Sequence, residues 1–364
     1  MRLRGEKMRR FEVKRLRLTA SAFLRFSFVV LFCSFSTIMA QSKVGTTVGQ
    51  FLLIEPSART AAMGNAGVSG LNEAISAYYN PGALGAMLNS DVEFTHSTWL
   101  AGITYDYATA AIKVGSDNTL LLSVTALNSG SIEVRTVDQP LGTGEQYSVS
   151  DLAVGVGYGQ RITDRFSAGM QAKYIQETIW HTSMDAFAVD FGTLYDIIPD
   201  VLRLGASISN FGTKGRFEGT DIQITYAPNP SNNGDNNSLP GQALTDSYPL
   251  PILFRVGLGY KLKIGDNNVF NFVLDAYHPN DNTESISFGG EWKFMKMFSL
   301  RAGYQNLRGG DISLSGYQSD ASSGLTLGAG VEYDMGNYLF RFDYGYANAG
   351  RLGYTQRFTV GLGF

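Results

Sequence analysis

The chain has 364 residues, 44% of them hydrophobic and only 17% charged, with 42 Gly, 19 Tyr and 23 Phe against 3 Trp, and a formal net charge of −3. Nine of the 29 basic residues fall within the first 25 positions, so the remainder of the chain is acidic, carries about ten net negative charges and offers no basic patch for nucleic acid. The single cysteine, Cys33, excludes an internal disulfide framework.

Residues 1–40 pair that basic start with an uncharged run, FSFVVLFCSFSTIMA, ending at Ala40. The run is about 14 residues, short of the roughly 20 that a spanning helix needs. The segment reads as a cleaved signal peptide, with Cys33 discarded inside it. Phe32 before Cys33 argues against a lipoprotein signal. No later window holds 18 uninterrupted apolar residues.

Residues 41–90 are the helix-friendly part. SARTAAMG and NEAISAYY have helical composition, broken by Gly64, Gly67, Gly70 and Pro81. Pro81 disfavours helix at Asn80, and a sharp entry into the first strand is expected there.

From residue 91 onward the pattern alternates with a period of two, the signature of a strand with unlike faces. In NYLFRFDYGY, Tyr338, Phe340, Phe342, Tyr344 and Tyr346 share one face, while Arg341, Asp343 and Gly345 share the other. Other segments place Glu291, Arg301 and Glu332 on the polar face. Fourteen strands are predicted: 92–99, 102–113, 118–128, 148–160, 165–178, 184–195, 201–211, 252–263, 268–277, 284–294, 297–305, 324–335, 337–346 and 355–364. About eleven residues is the length of a tilted membrane strand and longer than strands of soluble sheets.

Connections after the even-numbered strands are short. Those after strands three, seven and eleven are long, and those after five, nine and thirteen are intermediate. Short turns on one rim and long loops on the other mark an outer-membrane barrel, with both chain ends on the periplasmic side. The last residues, TQRFTVGLGF, alternate to the very end, with Phe358, Val360, Leu362 and Phe364 on one face. A closing strand paired back onto the first leaves no edge, as lipid demands. Phe358 and Phe364 also resemble the C-terminal assembly signal of bacterial outer-membrane barrels. A soluble sandwich or propeller alternates too, but its polar face would not be so rich in Gly and so sparse in charge. Trp99, Trp180 and Trp292, near strand ends, are assigned to interfacial belts.

The most specific text is VGQFLLIEPSARTAAMGNAGVSGLNEAISAYYNPGALG, Val48 to Gly85. Gln50-Phe51-Leu52, the run Ala58-Arg59 to Ala61-Ala62-Met63-Gly64, and Asn80-Pro81 to Leu84 resemble the start of the PorV/PorQ family, relatives of FadL-type outer-membrane transporters. The order Asn80-Pro81-Gly82-Ala83-Leu84 departs from the family's usual Asn-Pro-Ala-Gly-Leu. The resemblance implies an all-β, 14-stranded transmembrane barrel over 91–364 whose segment 41–90 folds inside as a small helical plug, with Arg59, Met63, Gly64, Asn80 and Pro81 as its key positions. The small residues suit close packing in a narrow lumen, and Arg59 is expected to pair with a lumen carboxylate: Glu291, Glu332 or Asp343. The resemblance also implies one of two partners. A PorV-like barrel binds the secretion channel and cargo C-terminal signal domains of type IX secretion; a FadL-like one binds a hydrophobic small molecule.

No enzyme chemistry is expected. His96, His181 and His278 lie in or beside separate strands with no metal-ligand spacing. Gly64–Gly70 lacks the preceding strand and the Lys of a nucleotide loop, and no Ser/His pair presents itself. The lumen charges Glu291, Arg301, Glu332, Arg341 and Asp343 read as structural pairs. No cofactor or metal is implied.

Overall fold

A computed structural model describes residues 44–227, 238–307 and 324–364. The leader with Cys33, residues 228–237 of the Asn-rich loop before the eighth strand and the loop 308–323 lie outside the described residues.

The fourteen expected strands are present: β1 (Asp91–Thr98), β2 (Thr104–Val114), β3 (Asn118–Asn128), β4 (Val149–Thr163), β5 (Phe166–Ile179), β6 (Thr182–Ile198), β7 (Leu202–Gly212), β8 (Leu253–Ile264), β9 (Asn268–Pro279), β10 (Ser285–Phe294), β11 (Phe298–Leu307), β12 (Leu325–Asp334), β13 (Leu339–Asn348) and β14 (Tyr354–Gly363). Each pairs antiparallel with its chain neighbours, and β1 pairs with β14 from Asp91↔Gly363 to Thr98↔Gln356, closing the barrel. Closure extends past the last strand residue: the Ser90 N–H donates to the Phe364 carbonyl at 3.0 Å, and the Phe364 N–H donates back at 2.9 Å.

The alternation is inside out relative to a soluble protein. Phe94, Leu122, Phe187, Phe272, Phe288 and Phe342 are exposed on the outer face, while Thr95, Ser123, Ser207, Asp275 and Thr359 are buried on the inner one. A water-soluble sandwich would bury the first set. An apolar belt around a closed ladder instead suits hydrocarbon, where an unpaired backbone group costs several kcal/mol. No helix of the described residues is long and apolar enough to cross a membrane.

Six turns on one rim are short. The connection after β5 departs from expectation: it is only Trp180–His181, because β5 and β6 run on to Ile179 and Thr182. Trp180 adopts φ 54°, a left-handed geometry that such a tight reversal imposes. Trp180 and Trp292 are exposed at strand ends. Trp99 instead turns toward the interior, where it packs against the core and under the Arg357 guanidinium, 5.1 Å from its ring centre.

Residues 44–90 run through the lumen from the long-loop rim to the short-turn rim. At the outer end, the Val48 N–H donates to the Pro249 carbonyl at 3.1 Å, and the Thr47 and Gln50 side chains both donate to Asp281, each at 2.6 Å. At the inner end, the Arg161 guanidinium donates to the Ala86 carbonyl at 3.4 Å. Between them lie a 3-10 turn, Gln50–Leu53, and three one-turn helices, α1 (Ala58–Ala61), α2 (Ser76–Tyr79) and α3 (Ala83–Ala86). Ser57 caps α1 by accepting from the Thr60 N–H at 3.2 Å. Helices this short do not persist alone; tertiary packing holds them. Phe51, Leu52, Ile54 and Ile75 bury against Tyr105, Tyr107, Ile175 and Met184 of the wall, each large side chain contributing about 1.5–3 kcal/mol.

Candidate functional site

The plug meets the wall in two physically different ways. One is close backbone approach. Inward glycines of the strands form seats with no room for a side chain: a Cβ on Gly169 would lie 2.1 Å from the Pro81 carbonyl, on Gly192 2.0 Å from Asn80 Oδ1, on Gly205 2.1 Å from the Val68 carbonyl, and on Gly289 2.3 Å from the Met63 carbonyl. Gly64 reciprocates from the plug side. It sits at φ 72°, and a Cβ there would strike the Tyr304 and Phe288 carbonyls at 2.5 and 2.7 Å. The glycine-rich polar face is therefore a set of docking positions.

Asn80 fixes one end of this contact. It is extended (φ −157°, ψ 105°) and ends α2. Its amide donates to the Val68 and Thr193 carbonyls at 2.9 Å each and accepts from the Gly82 N–H at 2.9 Å. Pro81 does not lead directly into β1, contrary to expectation. The chain turns into α3 first, which packs on β4 and β5 before the chain reaches β1. Met63 is fully buried.

The other contact is ionic. Arg59 is gripped by Glu291 through two parallel hydrogen bonds, Nε to Oε2 at 2.8 Å and Nη2 to Oε1 at 2.6 Å, and its third face pairs with Glu73 of the plug. Of the three carboxylates expected for Arg59, the structure selects Glu291. Glu332 pairs with Lys293 and Asp343 with Arg301 at 2.6 Å. Arg301 also donates to Glu291 at 2.6 Å, and Arg341 holds Asp91 at 2.6 Å and Glu93 at 3.1 Å.

Glu73, Asp91 and Glu93 were not among the expected lumen charges. They tie plug to wall through backbone as well: the Ala74 N–H donates to Asp91 at 2.7 Å, and the Ile75 N–H to Glu93 at 2.6 Å. Three guanidiniums thus stand among five carboxylates, and plug amides supply part of the missing positive potential. Asp91 and Glu93, two apart on the inner face of β1, carried a usable period-two signal. Glu73 did not, since it sits in text that reads as ordinary helix.

Toward the outer rim two further buried arginines touch the plug. Arg357 donates to the Glu55 carbonyl at 3.0 Å, and Arg255 donates to Ser209 at 2.8 Å with its guanidinium 5.5 Å from the Tyr78 ring centre. The closing strand keeps Phe358 and Phe364 on the outer face, Phe358 against Tyr344 with ring centres 5.2 Å apart. Among the described residues no cluster of His, Cys, Asp and Glu has metal-binding geometry.

The family model of the type IX secretion system protein PorV matches residues 37–229, and the Gram-negative porin model matches residues 165–364. The chain belongs to both families. Its place is accordingly the bacterial outer membrane, in families of transport and secretion barrels. No curated protein matches it in sequence. Among solved structures, a FadL homologue of Pseudomonas aeruginosa is similar at TM-score 0.52 and 10% identity, covering 89% of this chain and 99% of its own. The toluene transporter TbuX of Ralstonia pickettii is similar at TM-score 0.51 and 11% identity, covering 85% and 98%. The toluene transporter TodX of Pseudomonas putida is similar at 0.50 and 12%, covering 83% and 95%. At these identities the likeness establishes the fold alone. This PorV-family barrel, a closed 14-stranded antiparallel wall, shares its fold with those structures.

Proposed function

We propose that this barrel is a binding and shuttle component of type IX secretion, holding the secretion channel or the C-terminal signal domains of cargo at its outer face. The observation that carries the reading is the PorV match over 37–229, which spans the plug and the first seven strands. The stoppered lumen supports it. A plug fastened by buried ion pairs and seated on wall glycines suits a docking platform better than an open pore. The partner surface is the long-loop rim, of which 129–148 is fully described and 213–252 in part. Affinity-tagged protein from native membranes should recover the channel or cargo signal domains, and a deletion strain should retain cargo in the periplasm. Recovery of neither, with secretion intact, would sink the reading.

A second reading, a channel for hydrophobic small molecules, is supported by the likeness to toluene transporters. It expects reduced uptake of an apolar aromatic on deletion, with secretion unaffected. The two deletion phenotypes separate the readings.

A further inference from the structure

At the short-turn end of the lumen, between the plug and the wall, lies a cavity of about 340 Å³. Plug residues Ser69–Glu73 line one side, and residues of β7, β8 and β9 are among those that line the other. The size is at the low end of the range for small-molecule pockets.

Most of the charges around it are already committed. Arg203 is paired with Asp196 at 2.7 Å, Lys293 with Glu332, and Arg59 and Arg341 with the carboxylates that fasten the plug. Lys261 is the exception. It points inward from β8, partly buried, and its ammonium has no ion pair or hydrogen bond among the described residues. The other acidic lining group, Asp200, sits on the exposed turn between β6 and β7, outside ion-pair distance of Lys261. Asn271 stands opposite Lys261 on β9, and the lining also holds apolar side chains: Leu71 from the plug, Val201 and Val273 from the wall.

A partly desolvated cation with no carboxylate within ion-pair distance among the described residues, and with other cations nearby, favours an anion that meets it. Hydrocarbon next to it favours an anion that carries an apolar body. We propose that this cavity binds a small organic anion entering from the periplasm, its carboxylate on the Lys261 ammonium and its apolar part against Leu71, Val201 and Val273. The cavity lies inside the wall, away from the lipid-facing surface, so the occupant is a free solute rather than a lipid headgroup. The inference does not depend on which partner the outer loops engage.

Equilibrium dialysis of the purified full-length barrel in detergent against labelled 4-phenylbutyrate tests it. Saturable binding is expected, weakened roughly tenfold or more in K261M, as loss of a charge-assisted hydrogen bond predicts. K263M, which removes an exposed lysine two residues on, should bind within about twofold of the wild type, which separates contact from general field. Neutral 4-phenylbutan-1-ol should fail to compete. Circular dichroism and thermal melting confirm that K261M is folded. Absence of saturable binding, equal affinity in K261M, or an equal loss in K263M would overturn the proposal. So would displacement of the probe by phosphatidylglycerol micelles, which would assign the site to a lipid headgroup.

Discussion

Arg59 of the plug and Glu291 of β10 are joined by two parallel hydrogen bonds of 2.8 and 2.6 Å, and the same carboxylate also accepts from Arg301 at 2.6 Å and from the Asn271 amide at 2.8 Å. The arrangement is lopsided, and that fixes the order of two substitutions. Arg59→Ala leaves Glu291 with two donors. Glu291→Ala takes a carboxylate from two buried guanidiniums at once, leaving Arg59 only Glu73 and Arg301 only Asp343. Breaking a buried pair from one side costs about 3–5 kcal/mol, so Glu291→Ala should reach that range and Arg59→Ala should fall short of it. Urea unfolding in detergent, monitored by tryptophan fluorescence, measures both. Equal losses would mean that the remaining donors on Glu291 contribute nothing.

The glycine seats predict a gain of conductance. Val at Gly169 or Gly192 has no space while Pro81 and Asn80 stay in place, because even the first added carbon would sit 2.1 or 2.0 Å from an oxygen. The wall is a continuous ladder and the plug is three one-turn helices, so the plug should yield. Planar-bilayer recordings of Gly169→Val and Gly192→Val should show larger or more frequent openings than wild type. Gly290→Ala is the control. A Cβ there meets only Phe272 ring carbons, at 3.5 and 3.6 Å, and the Asn271 carbonyl at an ordinary 3.8 Å, and conductance should not change.

The barrel is legible in the sequence because alternation is local. Each strand declares its two faces in its own text, and fourteen such declarations with short turns on one rim leave few closed arrangements. The contents of the lumen are less legible. A strand glycine reads the same whether its inner side meets water or an oxygen of the plug, so the seats at Gly169, Gly192 and Gly205 emerge only once the plug is in place. Arg59 is recognisable as a plug cation, but its choice of Glu291 over Glu332 or Asp343 depends on the depth at which α1 sits and on Lys293 and Arg301 claiming the other two. Trp99 departs from its expected belt for a related reason. Its position at a strand end suggests an interface, and only the distant Arg357 draws it inward.

Glu73 gives the plug a pH response. Burial alone would raise its carboxyl; the guanidiniums of Arg59 and Arg341 outweigh that and hold it below the ordinary value of 4.5, against some repulsion from Glu291. A carboxyl depressed in the folded state stabilises it fully above the unfolded value, and that contribution fades as pH falls through the folded one. The part of plug docking that Glu73 supplies should therefore be constant near neutrality and fade progressively below about pH 4.5, the ordinary carboxylate value. Proteolysis of the plug segment in detergent, scanned downward with an acid-stable protease, reads this directly. Glu73→Gln should be more susceptible than wild type at neutral pH and less sensitive to further acidification. An unchanged acid profile in Glu73→Gln would place the response elsewhere.

The course of the plug makes a topological prediction that separates it from a simple periplasmic hatch. Thr47 and Gln50 meet Asp281 in the connection between β9 and β10, on the rim of long loops, and Gly49 donates to Glu177 near the outer end of β5 at 3.0 Å. Leu88, by contrast, lies just before Ser90 at the opposite rim. Val44 and Leu88 are 69% and 67% exposed, so accessibility to a reagent should depend on the side of the membrane rather than on burial. With Cys33 removed or replaced, a membrane-impermeant maleimide applied to intact cells should label Val44→Cys and spare Leu88→Cys, and both should label after the outer membrane is permeabilised. Labelling of Leu88→Cys alone in intact cells would invert the orientation assigned to the barrel. Protection of both would mean that the outer loops cover Val44 in the cell, and the outer rim would then be closed over the start of the plug.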